Sequence, residues 1–188
     1  IRQVIVYEEV VAQIITDGEQ CFDSNSFDFQ AGGQFGSGAS FLWEFEQATP
    51  NTSTLMNPTG VAFDTLGTFE VTLTVSESIC SDQDQIELST YPRPNAYFNT
   101  NPWIGCTPLM VILTDSSYSS TGHQLRWDFG DGAFSQNPNA AHTYEEPGIY
   151  DVSLTIWTSE GCIDTSVYTV QQIVTVHSLP SGNIMADP

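Results

Sequence analysis

The segment Gly67-Thr68-Phe69-Glu70-Val71-Thr72-Leu73-Thr74-Val75 returns 81 residues later as Gly148-Ile149-Tyr150-Asp151-Val152-Ser153-Leu154-Thr155-Ile156. Other landmarks recur in the same order at nearly the same offset: Trp43 with Trp127 at 84 residues, Cys21 with Cys106 at 85, and Cys80 with Cys162 at 82. A period this long exceeds the roughly 20–50-residue units of solenoids and propeller blades, so each repeat is one small domain and the chain is a string of modules. The opening stretch 1–7 matches the closing segments 85–91 and 172–177, while 180–188 lines up with 94–102. The expected organisation is therefore the last strand of a preceding module over 1–9, two complete modules over 10–91 and 92–178, and the first strand of a following module over 179–188.

Within the repeated segment apolar and polar side chains alternate. Tyr150, Val152, Leu154 and Ile156 point one way and Asp151, Ser153, Thr155 and Trp157 the other, and Phe69, Val71, Leu73 and Val75 repeat the phase. A period of two is that of a half-buried strand. Further strands are expected over 12–16, 26–30, 41–46, 61–63 and 83–89 in the first module, and over 96–100, 109–114, 124–129, 141–144 and 166–176 in the second. Turn-forming clusters separate them, among them Gly32-Gly33, Ser116 to Gly122, and Gly130-Asp131-Gly132. Helical periodicity is absent throughout. Six or seven short strands per module predict an all-β chain of tandem Ig-like β-sandwiches. Trp43 and Trp127 are expected to pack across the two cores, with Phe69, Tyr144 and Tyr150 as further anchors.

Acidic residues outnumber basic ones 23 to 3, giving a formal net charge of -20, and there is no lysine. Nucleic acid is thereby excluded as a partner, because phosphate backbones are bound by Lys and Arg that displace counterions. A hydrophobic fraction of 40% with interspersed charges argues against a disordered acidic tail. No apolar run reaches membrane-spanning length. Modules this small have modest cores, for which a cross-link compensates. Each carries two cysteines, one before its second strand and one after its long repeated strand. Repetition of the pair points to bonds Cys21–Cys80 and Cys106–Cys162 within modules, each stabilising by roughly 3–5 kcal/mol on the chain-entropy model. Such bonds imply an oxidising compartment outside the cytoplasm. Four reduced, buried thiols are the competing reading, and no CxxC pair marks a zinc site.

Trp127-Asp128-Phe129-Gly130-Asp131-Gly132 is followed by Asn137-Pro138, His142-Thr143-Tyr144, Pro147-Gly148 and Tyr150-Asp151-Val152-Ser153-Leu154-Thr155. This succession resembles the PKD (polycystic kidney disease) domain, with its WDFGDG hairpin and later HTY and PGxYxVxLT segments, and it covers the whole second module. The first module keeps Pro58 to Phe63 and Gly67 to Val75, but its hairpin reads Trp43-Glu44-Phe45-Glu46-Gln47-Ala48. It is a degenerate version, to which no role of the glycine–aspartate turn carries over. Gly105-Cys106-Thr107-Pro108 and Gly161-Cys162-Ile163-Asp164-Thr165 are similar to segments of PKD repeats in giant Bacteroidetes proteins, gliding-motility adhesins and surface filaments exported by the type IX system. Archaeal surface-layer proteins and accessory domains of secreted hydrolases use the same module. The resemblance implies a non-catalytic, extracellular or cell-surface spacer or stalk. Its partners would be neighbouring modules, identical chains in a filament, or surface polysaccharide or protein.

Some PKD modules bind calcium through acidic loops, which singles out Asp115, Asp128 and Asp131. The same residues also read as turn formers: Asp131 lies between glycines free to take positive φ, and Asp115 before Ser116-Ser117 suits an Asx turn. No bidentate glutamate at EF-hand spacing accompanies them, so no cofactor is expected and calcium is expected to matter little. Catalysis is not expected either. His123, His142 and His177 are scattered, and there is no GxSxG elbow, HExxH pair or phosphate loop. Binding has better candidates: Trp157 on the outward phase of its strand, Tyr118 in a polar loop, and Trp103 beside Cys106, any of which could stack on a sugar or a neighbouring module. Asn51-Thr52-Ser53 fits an N-glycan acceptor, and Asp64-Thr65-Leu66 resembles the Bacteroidetes O-glycosylation motif. Two functions follow. The first is a rigid spacer, its prolines at Pro92, Pro94 and Pro180 favouring extended linkers; the alternative is a carbohydrate- or protein-binding module using Trp157 and Tyr118.

Overall fold

The computed structural model describes residues 8–180 and Gly182; most of the strands expected over 1–9 and 179–188 lies outside the described residues. Strands, turns and bends make up the described chain. It contains no helix, hence none long and apolar enough to cross a membrane, which says nothing about a β-barrel. The described residues form two compact units: those up to Arg93 together with Glu160–Ile163, and Pro94–Ser159 together with those from Asp164 onward.

Among the described residues the first unit has nine strands: β1 (Val11–Thr16), β2 (Gln20–Cys21), β3 (Phe29–Gln34), β4 (Ser40–Phe45), β5 (Ala48–Thr49), β6 (Thr52–Ser53), β7 (Ala62–Phe63), β8 (Gly67–Glu77) and β9 (Cys80–Tyr91). One sheet runs β2-β9-β8-β4-β6, while β1 pairs with β3 and β5 with β7. The second unit has β10 (Phe98–Asn101), β11 (Ile104–Cys106), β12 (Leu109–Asp115), β13 (Gln124–Asp128), β14 (Phe134–Ser135), β15 (Asn139–Tyr144), β16 (Gly148–Trp157) and β17 (Thr165–His177). Its sheets are β11-β17-β16-β13-β14 and β10-β12-β15. Each unit is an Ig-like β-sandwich.

The alternation read from the sequence is the alternation of burial. Phe69, Val71, Leu73 and Val75 on β8 are buried, as are Val152, Leu154 and Ile156 on β16; Tyr150 is half-buried at the edge of its core. Phe29 and Ala31 of β3 cover the first core, and Phe98, Val111 and Leu113 cover the second. Both tryptophans are fully buried. Burial of an indole strands its N–H unless a partner is built in, and each has one: Trp43 Nε1 donates to the Leu55 carbonyl at 2.9 Å and Trp127 Nε1 to the Asn137 carbonyl at 2.8 Å.

Three features depart from expectation. The strand expected over 26–30 instead runs Phe29–Gln34, and Phe27 makes only an isolated bridge to Val61. Gly32-Gly33 is therefore no turn. Gly33 pairs with Ala12 at φ +105°, where a Cβ would fall on the Val11 carbonyl oxygen, so glycine here permits close backbone approach within a strand. Secondly, β1 receives side-chain support that no pattern announced. Asp82 and Asp84 of β9 accept the Ala12 and Ile14 amides at 2.8 and 2.7 Å, as Ser166 Oγ accepts the Ala96 amide at 3.0 Å in the second unit.

The third departure is the cysteine pairing. Neither Cys21–Cys80 nor Cys106–Cys162 forms: Cys21 is bonded to Cys162, 141 residues away in sequence, and Cys80 and Cys106 are free thiols. Strand geometry explains it. β2 runs parallel to β9 with Cys21 opposite Tyr91, its last residue, whereas Cys80 is its first. At about 3.3 Å per residue, the length of β9 separates its two ends by roughly 35 Å, whereas a disulfide holds its Cα atoms within about 7 Å. β11 repeats the arrangement, with Cys106 opposite His177 at the end of β17 and Cys162 before its start. Cys162 lies in Glu160–Ile163, the segment that clusters with the first unit.

Truncating a fully buried indole leaves a large cavity and an unpaired carbonyl. Trp127→Ala is expected to destabilise the second unit by about 3–5 kcal/mol, measured by denaturant unfolding; a cost below about 1 kcal/mol, typical of surface changes, would contradict the packing described.

Candidate functional site

The chemically richest residues of the second unit converge on the turn after β13. Asp128 Oδ1 accepts the Gly130 amide at 2.9 Å and Asp131 Oδ1 the Ala133 amide at 3.0 Å, two successive Asx turns. Gly130 has φ +81°, and a Cβ there would fall on the Asp151 carbonyl oxygen, so the turn needs glycine for both conformation and space. Asp151 sits at the bulge where the β16–β17 register shifts, and its Oδ1 accepts the Gln172 amide at 2.7 Å.

His142 of β15 closes this turn. Its Nε2 lies 2.6 Å from Asp131 Oδ2, and its ring stacks on Phe129 at 4.2 Å between centroids with planes 5° apart. Tyr144 meets the same imidazole edge-on at 4.6 Å, and its buried hydroxyl donates to the Phe129 carbonyl at 2.9 Å. Burial, with smaller contributions from Asp131, Tyr150 and Asp128, pushes the Tyr144 phenol well above its ordinary range, so the hydroxyl keeps the proton it donates to Phe129. A second Asp–His pair forms at the end of β12. Asp115 accepts the Ser117 amide at 2.9 Å and lies 2.8 Å from His123 Nε2, whose Nδ1 lies 3.0 Å from Ser119 Oγ.

These contacts bear on the expected cation site. Asp115 and Asp131 each divide their oxygens between one backbone amide and one histidine, and Asp128 gives an oxygen to its own turn. Among the described residues, none of the three joins a group of three ligand atoms close enough to share an ion. His177, at the end of β17, is remote in sequence from both pairs and exposed.

The binding candidates are not gathered together. Trp157 is half-buried, its Nε1 donating to Gln124 Oε1 at 2.9 Å, and it lines a cleft of about 240 Å³ with His123, Gln124, Leu125, Gln136 and Pro138. Tyr118 lies outside that cleft, with its backbone bridged to Asn95 and its ring exposed. Trp103 is exposed as well, its carbonyl accepting the Thr175 amide. A cleft of about 710 Å³ lies in the first unit on its degenerate hairpin, lined by Glu44, Glu46, Asp64 and Glu70 among others. It contains no histidine, cysteine or basic residue. Asn25 is a clamp that sequence reading missed: its side chain accepts the Phe63 amide at 2.7 Å and donates to the Phe63 and Phe22 carbonyls.

Two expectations follow. Partial burial raises the Asp115 and Asp131 carboxyls, but bonds from Ser117 and His123, and from Ala133 and His142, outweigh it and hold both below their ordinary range. Their contribution is therefore complete above the ordinary aspartate pKa of about 3.9 and is lost as pH falls through the depressed folded values. Asp131→Asn should lower neutral-pH stability by about 1 kcal/mol and flatten the acid limb of the second unit, read from thermal unfolding between neutral pH and strong acid. Calcium should leave both melting transitions nearly unchanged in calorimetry against a chelated control; a large rise confined to the second unit and removed by Asp131→Asn would assign the turn to the cation.

The chain is 32% identical over 91 residues, 47% of its length, to the microbial collagenase of Vibrio alginolyticus; the match spans 11% of that protein. Among solved structures, the amphioxus IgVJ-C2 molecule shares 13% identity over 84% of this chain and 99% of its own, with a TM-score of 0.43. The fibronectin(III)-like modules of Clostridium thermocellum CbhA share 10% over 93% of this chain and 100% of theirs, with a TM-score of 0.40. Residues 92–173 match the family model described as PKD domain. The match covers most of the second unit, and the glycine–aspartate turn with its closing histidine lies inside it.

Proposed function

We propose that the two sandwiches are structural spacer modules of a large extracellular multi-domain protein, an adhesin or surface filament, and that they carry no catalytic centre of their own. One observation carries this reading: two of the three histidines, with their aspartate partners, are consumed in shaping their own turns. His142 and Asp131 hold the β13–β14 turn, and His123 and Asp115 hold the loop after β12. The Cys21–Cys162 bond supports an oxidising, extracytoplasmic setting. Neighbouring modules and identical chains are the partners that suit a module of this kind, and the net charge of -20 keeps such a polymer soluble. Secretion through the type IX system of a Bacteroidetes cell is the context that the cysteine-flanking segments suggest.

A second reading draws on Trp157. An indole at the mouth of a cleft with Leu125 and Pro138 could stack on a sugar ring or a peptide. That cleft, about 240 Å³, is smaller than the roughly 300–1,000 Å³ typical of ligand pockets, which favours the spacer.

Exchanging both units for an unrelated pair of sandwiches in the intact surface protein separates the readings. A spacer predicts that attachment or filament assembly survives the exchange. Loss of attachment, reproduced by Trp157→Ala in an otherwise native protein whose unfolding is unchanged, would establish the binding module instead.

A further inference from the structure

The two bonded cysteines and the two free ones occupy matching positions in the repeat. Cys21 lies opposite Tyr91 at the end of β9, and Cys106 lies opposite His177 at the end of β17, both in parallel register. The residue after each makes the same backbone bond, Phe22 N to the Tyr91 carbonyl at 2.8 Å and Thr107 N to the His177 carbonyl at 2.9 Å. Cys80 and Cys162 match likewise. Each lies where the two longest strands of its repeat are joined, next to a residue in left-handed conformation or one removed from it: Ser78 at φ 56° before Cys80, and Gly161 at φ 67° before Cys162. Each is also flanked by an uncovered isoleucine, Ile79 at 82% and Ile163 at 71% exposure.

We propose that Cys80 and Cys106 are the two open ends of a repeating cross-link. Cys106 bonds the hairpin cysteine of another sandwich of this kind, one in the position of Cys162, and Cys80 bonds a strand-end cysteine in the position of Cys21. Two independent observations carry this. Strand length separates the two cysteine positions within one sandwich, so neither free thiol can use the cysteine of its own repeat. The bond already formed, Cys21–Cys162, shows the partner that a strand-end cysteine takes: a hairpin segment, Glu160–Ile163, that clusters with the unit it joins and leaves Cys162 only 2% exposed. Cys106 is the same acceptor position left open, and Cys80 the same donor position unused. The inference rests on the chain being a run of like modules in an oxidising compartment.

Two thiols joining release two protons and two electrons, and a small-molecule disulfide can take the electrons. The thiolate of one cysteine displaces one half of that disulfide, giving a mixed disulfide and a thiol. The thiolate of the second then displaces the other half, leaving the cystine and two molecules of reduced thiol.

The test uses the 188-residue chain as its own partner. Non-reducing peptide mapping should find Cys21 joined to Cys162 with two alkylatable thiols, at Cys80 and Cys106. Incubated with oxidised and reduced glutathione at high protein concentration, the chain should give a ladder of multimers joined by Cys80–Cys106 peptides, and Cys80→Ser or Cys106→Ser should abolish every species above the dimer. Circular dichroism of the variants checks that the sandwiches are intact. Exclusively monomeric product, or Cys80–Cys80 and Cys106–Cys106 peptides as the main links, overturns the proposal. In protein isolated from its source, both cysteines should be bonded to cysteines of other repeats; a single-chain mass without reductant places those repeats in the same polypeptide, a multimeric mass in a second copy. Finding both alkylatable there also overturns it, while the spacer reading stands or falls separately on the module exchange.

Discussion

Long strands that are apolar on one face only cannot exist alone in water, and the remainder of each unit is organised by that constraint. β8 and β16 each present a row of buried aliphatic and aromatic side chains, and each is paired along its length with a still longer strand, β9 or β17. Covering the row requires a second layer, which β1 and β3 supply in one unit and β10, β12 and β15 in the other. Trp43 and Trp127 bridge the layers and are tolerated there because a loop carbonyl receives each indole N–H.

The same two-layer plan accommodates two different hairpins after the tryptophan strand. In the second unit Asp128 and Asp131 fold the turn onto itself, and His142 and Tyr144 fasten it from the adjacent sheet. The first unit has glutamates and glutamine at the corresponding positions. Phe63 stands near the place of Tyr144, stacked on Phe69 at 4.6 Å as Tyr144 packs on Tyr150 at 4.4 Å. Without a hydroxyl it cannot donate to the hairpin, and its own backbone is held by Asn25, which ties it to Phe22. One scaffold thus keeps its hydrophobic contacts while its polar fastenings are replaced, the behaviour expected when fold stability resides in the core and loops vary.

Charge in this chain also has a structural use. Asp82 and Asp84 lie on the inward phase of β9, in line with Ile86 and Leu88 and opposite Val75 and Leu73, and each accepts a β1 amide that pairs with no strand among the described residues. Carboxylates at alternate positions thus do for β1 what a further strand would do, and they occupy amides that would otherwise be open to another strand. Part of the acidic excess is accounted for in this way.

The sequence by itself determined the class of fold, the phase of the long strands, the tryptophans as core anchors and the special status of the glycine–aspartate turn, because each is written in local spacing: a period of two, a repeat of 81 residues, a short motif. Only the tertiary structure decided which cysteines meet. That choice depends on β2 and β11, strands of two and three residues that are too short to leave a pattern and that run parallel to the far end of the last strand. Their register carries Cys21 and Cys106 to the end opposite Cys80 and Cys162, so the pairing that repetition suggested is forbidden by the length of a strand. The histidine–aspartate pairs were hidden for the same reason. His142 on β15 and Asp131 in the turn after β13 are eleven residues apart, and only sheet packing brings a ring nitrogen and a carboxylate together.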